Sequence, residues 1–480
     1  MRNLTVLWLL VAALFLSISP ALATEFEDIS VAAGVADDGN GKGVAFADVN
    51  NDGLNDLYVS NKGGANKLYL NLGGGSFKDI TDQSKGLDGP GFTMGSVFGD
   101  VDNDGCVDLY LAQGGQVEID ANLLFLGNCD GTFSDVTAKA GVGSKAYTYS
   151  ASMVDYDNDG YLDIYCANYG VGAKNQLFKN NGDGSFKDVT DIAGVGDPSW
   201  SWMGVWSDIN ADGYQDLYVV NGRYPAGEPN RLYLNSGKGT FAEVSQQAGV
   251  ADTNWGLGAS FADIDNDGDF DLFLSNYVGG NKLFANDGKG NFSDVTKQMQ
   301  GTHDGWGKGP SFGDIDHDGD LDLYEGDCKL SNQLYLNNGQ GKFKNVVDKH
   351  STLQCATVRT KGTAFTDIDG DGDLDLYVVN WAAENKLYRN LQDDNNYLKV
   401  KLVGTKSNAS AYGAKVSLYD GETLLAVREL RSSDGFCAQQ AQELHFGGIK
   451  KAVIVVVDFP SGLQVTEEGN PGETLSIVEK

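Results

Sequence analysis

The sequence predicts an all-β fold, a seven-bladed β-propeller closed by an N-terminal outer strand and followed by a small C-terminal β domain. Three observations carry this. A nine-residue acidic motif, first met as DVNNDGLND from Asp48, recurs six more times at intervals of 51 to 55 residues, a period that marks a propeller or solenoid. Strand-like segments flank every copy. A fourth-strand sequence stands at the N-terminus, and the last repeat lacks one.

The copies begin at Asp48, Asp100, Asp155, Asp208, Asp263, Asp314 and Asp367. Before each lies a segment such as GVAFAD or GPSFGD, and after each one such as DLYVSN or DLFLSN, so the motif joins the strands of a hairpin. A third strand follows, as in Asn66-Lys67-Leu68-Tyr69, and then a fourth, as in FKDIT from Phe77. Four antiparallel strands repeated seven times compose a seven-bladed propeller. FEDIS, from Phe26 to Ser30, is a fourth-strand sequence that precedes any first strand, whereas the last repeat stops at Asn385-Lys386-Leu387-Tyr388. Pairing the two closes the ring and removes its exposed edges.

The repeats occupy residues 24–390. Beyond them, in residues 391–480, YLKVKLVGTKSN, GAKVSLYDG, ELHFGG and the apolar run AVIVVVDFPSG predict a β domain without an acidic loop. At the other end, Met1–Ala23 carries one early Arg2, an apolar run and a closing Ala21-Leu22-Ala23, the pattern of a cleaved signal peptide. No later segment is apolar enough to span a bilayer. The expectation is export to a secreted, extracellular location, or the periplasm or cell surface of a bacterium. The net charge of −32 disfavours nucleic acid as a partner, because phosphate is repelled at long range.

The acids explain that charge. In the loops, positions one, three, five and nine carry side-chain oxygens: Asp48, Asn50, Asp52 and Asp56; Asp100, Asp102, Asp104 and Asp108; Asp155, Asp157, Asp159 and Asp163; Asp208, Asn210, Asp212 and Asp216. The last three loops contribute Asp263, Asp265, Asp267 and Asp271; Asp314, Asp316, Asp318 and Asp322; and Asp367, Asp369, Asp371 and Asp375. Position six is always Gly, which permits the positive φ that wraps a chain about an ion. An EF-hand loop supplies a Glu at position twelve; here Asp at position nine takes that part. All-oxygen ligands disfavour zinc and copper, and flexible carboxylate-rich loops suit calcium better than magnesium. About one Ca²⁺ per blade, up to seven, is therefore expected. The bland alternative is a set of metal-free Asx turns.

These residues resemble the FG-GAP or VCBS repeats of integrin α-chain propellers, down to FGD at Phe98 and Phe312. The C-terminal segment is similar to the ASPIC/UnbV domain through LVGTKSN from Leu402, LHFG from Leu444 and PSG from Pro460. It departs from that pattern in VVDFPSG, where Arg-Trp more often precedes PSG. The combination resembles the cartilage acidic protein family. That resemblance implies an extracellular, non-catalytic protein of matrix and adhesion, and it names no ligand.

Six cysteines in an exported chain suggest disulfides. The propeller places Cys106 and Cys129 on one face of a blade and Cys328 and Cys355 together on the opposite face, so both pairs are candidate bridges; Cys166 and Cys437 are left open. The face opposite the acidic loops collects Trp200, Trp202, Trp255, Trp306 and Trp381, with Tyr169, Tyr224 and Tyr277 in neighbouring loops. These rings predict either a platform for an extracellular protein or glycan, or packing in the central channel or between blades. The rival functional reading is a carbohydrate-active enzyme, a polysaccharide lyase or dehydratase on a calcium-stabilised propeller. No motif sets His303 or His350 in a catalytic arrangement, and no nucleophile elbow, Walker loop or dinucleotide fingerprint is read in the sequence, so no catalytic residue is assigned.

Overall fold

The computed structural model describes residues 25–480 except 85, 90, 116–119, 224–226, 302–304, 356–357 and 393. The predicted signal peptide, Tyr224 and His303 lie outside the described residues. Among the described residues, no helix is long and apolar enough to cross a membrane.

The first blade shows how each repeat folds. Its strands Gly41–Ala47, Asp56–Asn61, Lys67–Asn71 and Phe77–Asp79 pair antiparallel in chain order. The Ala47↔Asp56 pair closes the first hairpin, so the acidic loop is the turn itself. The other inner strands are Thr93–Gly99, Thr148–Val154, Ser201–Ser207, Trp255–Ala262, Gly307–Gly313 and Arg359–Thr366. Each neighbours the next, and the last neighbours the first. Phe26–Asp28 completes the seventh blade by pairing with Lys386–Asn390, Phe26 opposite Asn390.

Aromatic side chains of β-forming type hold the blades together. An aromatic on one blade's second strand meets the inner-strand ring of the next, as in Tyr58 on Phe98 at 6.2 Å and Tyr377 on Phe46 at 6.3 Å, both edge-on. The second pair joins the seventh blade to the first. The Tyr hydroxyls also donate across the interface, Tyr58 to the Leu87 carbonyl at 2.6 Å and Tyr377 to that of Val35 at 3.0 Å.

An Asn at the end of the third strand ties six of the blades to a preceding acidic loop, as where Asn71 Nδ2 donates to the Ile368 carbonyl at 2.9 Å and Asn337 Nδ2 to that of Ile264 at 2.8 Å. The second blade has Gly127 at this place and cannot make the tie. There, Cys106 in the loop is joined by a disulfide to Cys129 in the outer hairpin.

The second expected bridge is absent. Cys328 donates its thiol to the Thr360 carbonyl at 3.0 Å, while Cys355 lies 3.0 Å from the Tyr388 hydroxyl. The loops carrying them lead the two thiols to different partners. Cys166 and Cys437 are buried free thiols in separate clusters.

The C-terminal part forms two sheets. Leu398–Val403 lies between Glu443–Phe446 and Glu473–Val478, and the second sheet runs Thr423–Glu429, Lys415–Asp420, Val453–Asp458, Gln464–Gly469. Val455 and Val457 of the valine run are buried against Leu398, Val400 and Phe446.

This unit sits on the acidic-loop face. Ser410 Oγ accepts the Asp100 N–H at 2.9 Å, Lys401 Nζ donates to the Gly53 carbonyl at 3.0 Å, and the His445 ring lies 2.9 Å from the Gly372 carbonyl. Its segment 431–440 enters the propeller axis. Arg431, Ser432, Cys437 and Gln439 bond the backbone of Phe261, Met153, Val44 and Phe98 respectively, and Ala438–Gln439 adds a short parallel strand to Gly41–Ala47. Gly435 has a φ of 66°, and a Cβ there would stand 2.4 Å from the Pro310 carbonyl oxygen, so the plug can turn inside the ring only with glycine at this point. None of this docking is apparent in the sequence.

Candidate metal centres

Each acidic loop is first a hydrogen-bonded turn. In the first, Asp48 Oδ1 and Oδ2 accept the N–H groups of Asp52 and Gly53 at 3.1 and 2.7 Å, and Asp52 Oδ1 accepts that of Leu54 at 2.9 Å. Asp56 Oδ2 accepts the Val49 N–H at 2.9 Å and its Oδ1 the Asn71 N–H at 2.7 Å, linking loop to third strand. The pattern returns in the later loops, as at Asp100, Asp104 and Asp108. Gly53 takes a φ of 90°, as position six requires. Position four is also left-handed, with φ of 57° at Asn51 and 55° at His317. Asn at position four in four of the seven loops is the signal for this that the sequence reading passed over.

These bonds leave lone pairs facing inward. Oxygen atoms from three carboxylates lie within 4.8 Å of one another in five loops: Asp100, Asp102 and Asp108; Asp155, Asp157 and Asp163; Asp263, Asp265 and Asp271; Asp314, Asp316 and Asp322; and Asp367, Asp369 and Asp371. In the seventh loop position five replaces position nine in the trio, although Asp375 accepts the Ile368 and Asn390 amides as Asp56 and Asp108 accept theirs. The first and fourth loops have Asn50 and Asn210 at position three, each donating its amide to the neighbouring Asp52 or Asp212. At position five, Asp104, Asp159, Asp267 and Asp318 are spent on the turn, each accepting the N–H two residues on.

The electrostatics show what the turns lack. Burial pushes Asp108, Asp216 and Asp271 up to about 8 and Asp56, Asp155 and Asp263 to about 7, with nearby carboxylates adding to the rise. Burial likewise holds Asp163, Asp322 and Asp375 well above the usual carboxylate range. Oδ1 of Asp157, Asp265 and Asp316, all at position three, is buried without a hydrogen-bond partner. A hard divalent cation fits such a donor set, since it satisfies the orphaned oxygens and keeps their neighbours ionised.

Basic groups contest some loops. Lys179 Nζ reaches both Asp157 and Asp159 in the third loop, and Lys399 of the C-terminal unit reaches Asp367 in the seventh. Buried Arg428 feels Asp314 and Asp263, and its Nε and Nη2 make no hydrogen bond. The second, fifth and sixth loops hold a carboxylate trio with no ammonium upon it among the described residues. Lys179, Lys399 and Arg428 come from other strands or from the C-terminal unit, beyond the reach of a motif-based reading.

On the opposite face, the predicted tryptophans divide. Trp202 is buried against Tyr149 and Phe436 in the channel, the packing alternative of the sequence reading. Trp200, Trp255, Trp306 and Trp381 are half-buried. Tyr169 meets Trp200 at 4.5 Å, Trp255 meets Tyr277 at 4.7 Å, and Tyr277 stacks on Trp306 at 4.5 Å.

Profiles of the FG-GAP-like repeat match residues 48–111, 100–166, 155–219, 208–274, 263–325 and 327–378, and that of the ASPIC and UnbV domain matches 404–480. The chain is 26% identical over 441 residues to cartilage acidic protein 1 of Homo sapiens, covering 82% of this chain and 63% of that protein. The Mus musculus and Xenopus tropicalis proteins of the same name are 27% and 25% identical; the matches cover 82% and 91% of this chain and 65% and 73% of theirs. The chain thus spans roughly two-thirds of the length of these relatives. Among solved structures, YCF48 from Cyanidioschyzon merolae aligns with a TM-score of 0.46 and 9% identity over 76% of this chain and 98% of that one; the fold rests on the strand pairing above and not on this likeness. The repeat profiles span most of the chain, and it belongs to the FG-GAP-like repeat family, with an ASPIC and UnbV domain at its C-terminal end.

Proposed function

We propose that the protein is a secreted, calcium-loaded propeller, residues 24–390, acting with the domain at 391–480 as a non-catalytic binding or adhesion module for an extracellular protein or glycan. The observation that supports it best is the buried, partnerless Oδ1 of Asp157, Asp265 and Asp316 at one position of three loops. A buried acceptor without a partner costs about 1–3 kcal/mol, and a cation removes that cost in each loop. Asp48, Asn50, Asp52 and Asp56, with their counterparts in each later loop, are the assigned ligands; the second, fifth and sixth loops are the strongest sites. When bound, calcium supplies rigidity and a fixed charge, while the aromatic residues of the opposite face supply contact area.

Equilibrium dialysis of the full chain against calcium tests the metal, with three or more ions per chain expected. A glycan and protein array screened with and without chelator tests the binding role. Uptake of no calcium overturns the metal assignment. Calcium-dependent turnover of a polysaccharide overturns the non-catalytic one.

A further inference from the structure

The channel holds a cationic arc that neither the acidic loops nor the aromatic face explains. In every repeat the residue six before the first loop Asp falls where the inner strand slips register against its partner, in the first blade between Gly41 and Gly43 and in the sixth between Gly307 and Pro310. Such a bulge re-aims a side chain. In the second to fifth blades these residues are Met94, Tyr149, Trp202 and Leu257, which pack round Phe436 and Cys437 of the plug. In the sixth, seventh and first blades, adjacent round the ring, they are Lys308, Lys361 and Lys42.

The three lysines are 6%, 2% and 1% exposed. Among the described residues none forms an ion pair with a carboxylate. Lys42 Nζ lies 4.0 Å and Lys361 Nζ 4.9 Å from the Trp381 ring centre, and Lys308 Nζ 4.5 Å from that of Phe436. Lys361 Nζ is also 3.0 Å from Cys328 Sγ. Burial and the neighbouring lysines bring Lys308 down to about 7 and hold Lys42 well below its ordinary value. Burial pushes the Cys437 thiol up to about 12 despite the three amines, so it supplies no counter-charge at neutral pH. A chain with a net charge of −32 therefore gathers three buried amines with no carboxylate between them. Protonating all three buried amines is costly without a counter-charge, and an anion seated among them offsets that cost.

We propose that Lys42, Lys308 and Lys361 form an oxyanion-binding site on the propeller axis, taking a carboxylate or sulfate group beside Trp381. The group arrives either as a free small anion or as the substituent of an acidic saccharide, whose rings the half-buried tryptophans would receive; the saccharide form rests on the binding role proposed above. Met is the fitting replacement for these lysines, because Met94 already occupies the same place in the second blade.

The test is titration of the calcium-loaded full chain with sodium sulfate, sodium acetate and a uronic-acid oligosaccharide, read by tryptophan fluorescence and calorimetry. Parallel titrations use Lys308→Met, Lys361→Met, the double variant, and Lys297→Met as a surface control. Saturable binding is expected, weakened about tenfold or more by each channel substitution, as loss of one charge-assisted hydrogen bond implies. The control should bind as the unaltered chain does, and the channel variants should melt no lower, since each removes a desolvated amine. Sulfate binding without oligosaccharide binding assigns the site to free anions and counts against the saccharide role alone. Absence of saturable binding by all three probes, or equal binding by the double variant, overturns the site.

Discussion

Calcium removal at two pH values is the most searching test of the loops. At ten times its dissociation constant a ligand stabilises the folded state by about 1.4 kcal/mol per site. Five loops bring three carboxylates together, and in two of them a lysine already lies on the trio. The expected loss on chelation is thus about 4 kcal/mol from the three open loops and about 7 kcal/mol if all five bind. With an unfolding entropy of roughly 0.8 kcal/mol/K for a propeller of this length, the midpoint should fall by about 5–9 °C.

The pH dependence sharpens this. Without metal, Asp56 and Asp155 titrate at about 7 and Asp108, Asp216 and Asp271 at about 8 because they are buried, above their unfolded value. An acid whose folded pKa is raised favours folding while protonated, so the metal-free protein should lose stability as pH rises from about 4 through about 8. A bound cation keeps these groups ionised and flattens that loss. Differential scanning fluorimetry with calcium or chelator should therefore show a gap that is small at pH 5 and greatest at pH 8. A midpoint at pH 8 unmoved by chelator, or a gap no wider there than at pH 5, would refute the reasoning.

Three further outcomes are expected. Burial raises the Glu479 carboxyl, but Ser461 and the amides of Lys406, Thr405 and Ser407 outweigh it and bring the group down to about 2, so it should stabilise the C-terminal domain by about 3 kcal/mol above pH 4.5, a contribution lost as pH falls through about 2; urea titrations of Glu479→Gln should show that deficit at pH 7 and none near pH 2. Phe436→Ala empties a fully buried position at the axis and should cost about 3–5 kcal/mol, with faster proteolysis between the two domains as the companion readout. Replacing Cys106 and Cys129 together by Ala opens a crosslink between residues 23 apart and should lower stability by about 3 kcal/mol in non-reducing urea melts, whereas Cys328→Ala and Cys355→Ala should leave the drop that reductant causes in the unaltered chain unchanged.

The blades were legible in the sequence because each one is local. Loop, hairpin and third strand follow within about 25 residues, and seven copies make the register plain. Closure was legible too, since Phe26–Asp28 carries the sequence of the strand it replaces. What could not be read were contacts between distant segments of unlike sequence. Lys399 reaches Asp367, Arg428 lies by Asp263 and Asp314, and Phe436 meets Trp202 without any shared pattern. Cys328 and Cys355 share a face yet bond to Thr360 and Tyr388, because a face fixes which side of a blade a thiol lies on and not which way it turns. The lysine arc is an intermediate case: its spacing from each loop is regular in the sequence, but only the slipped strand register gives that position its inward aim.

The residues that fill the axis lie near the end of the chain, long after the last blade. Met94, Tyr149, Trp202 and Leu257 are covered only once segment 431–440 is in place like a cork. A ring ending at residue 390 would leave those four side chains on an open bore, a washer with a greasy rim instead of a sealed disc.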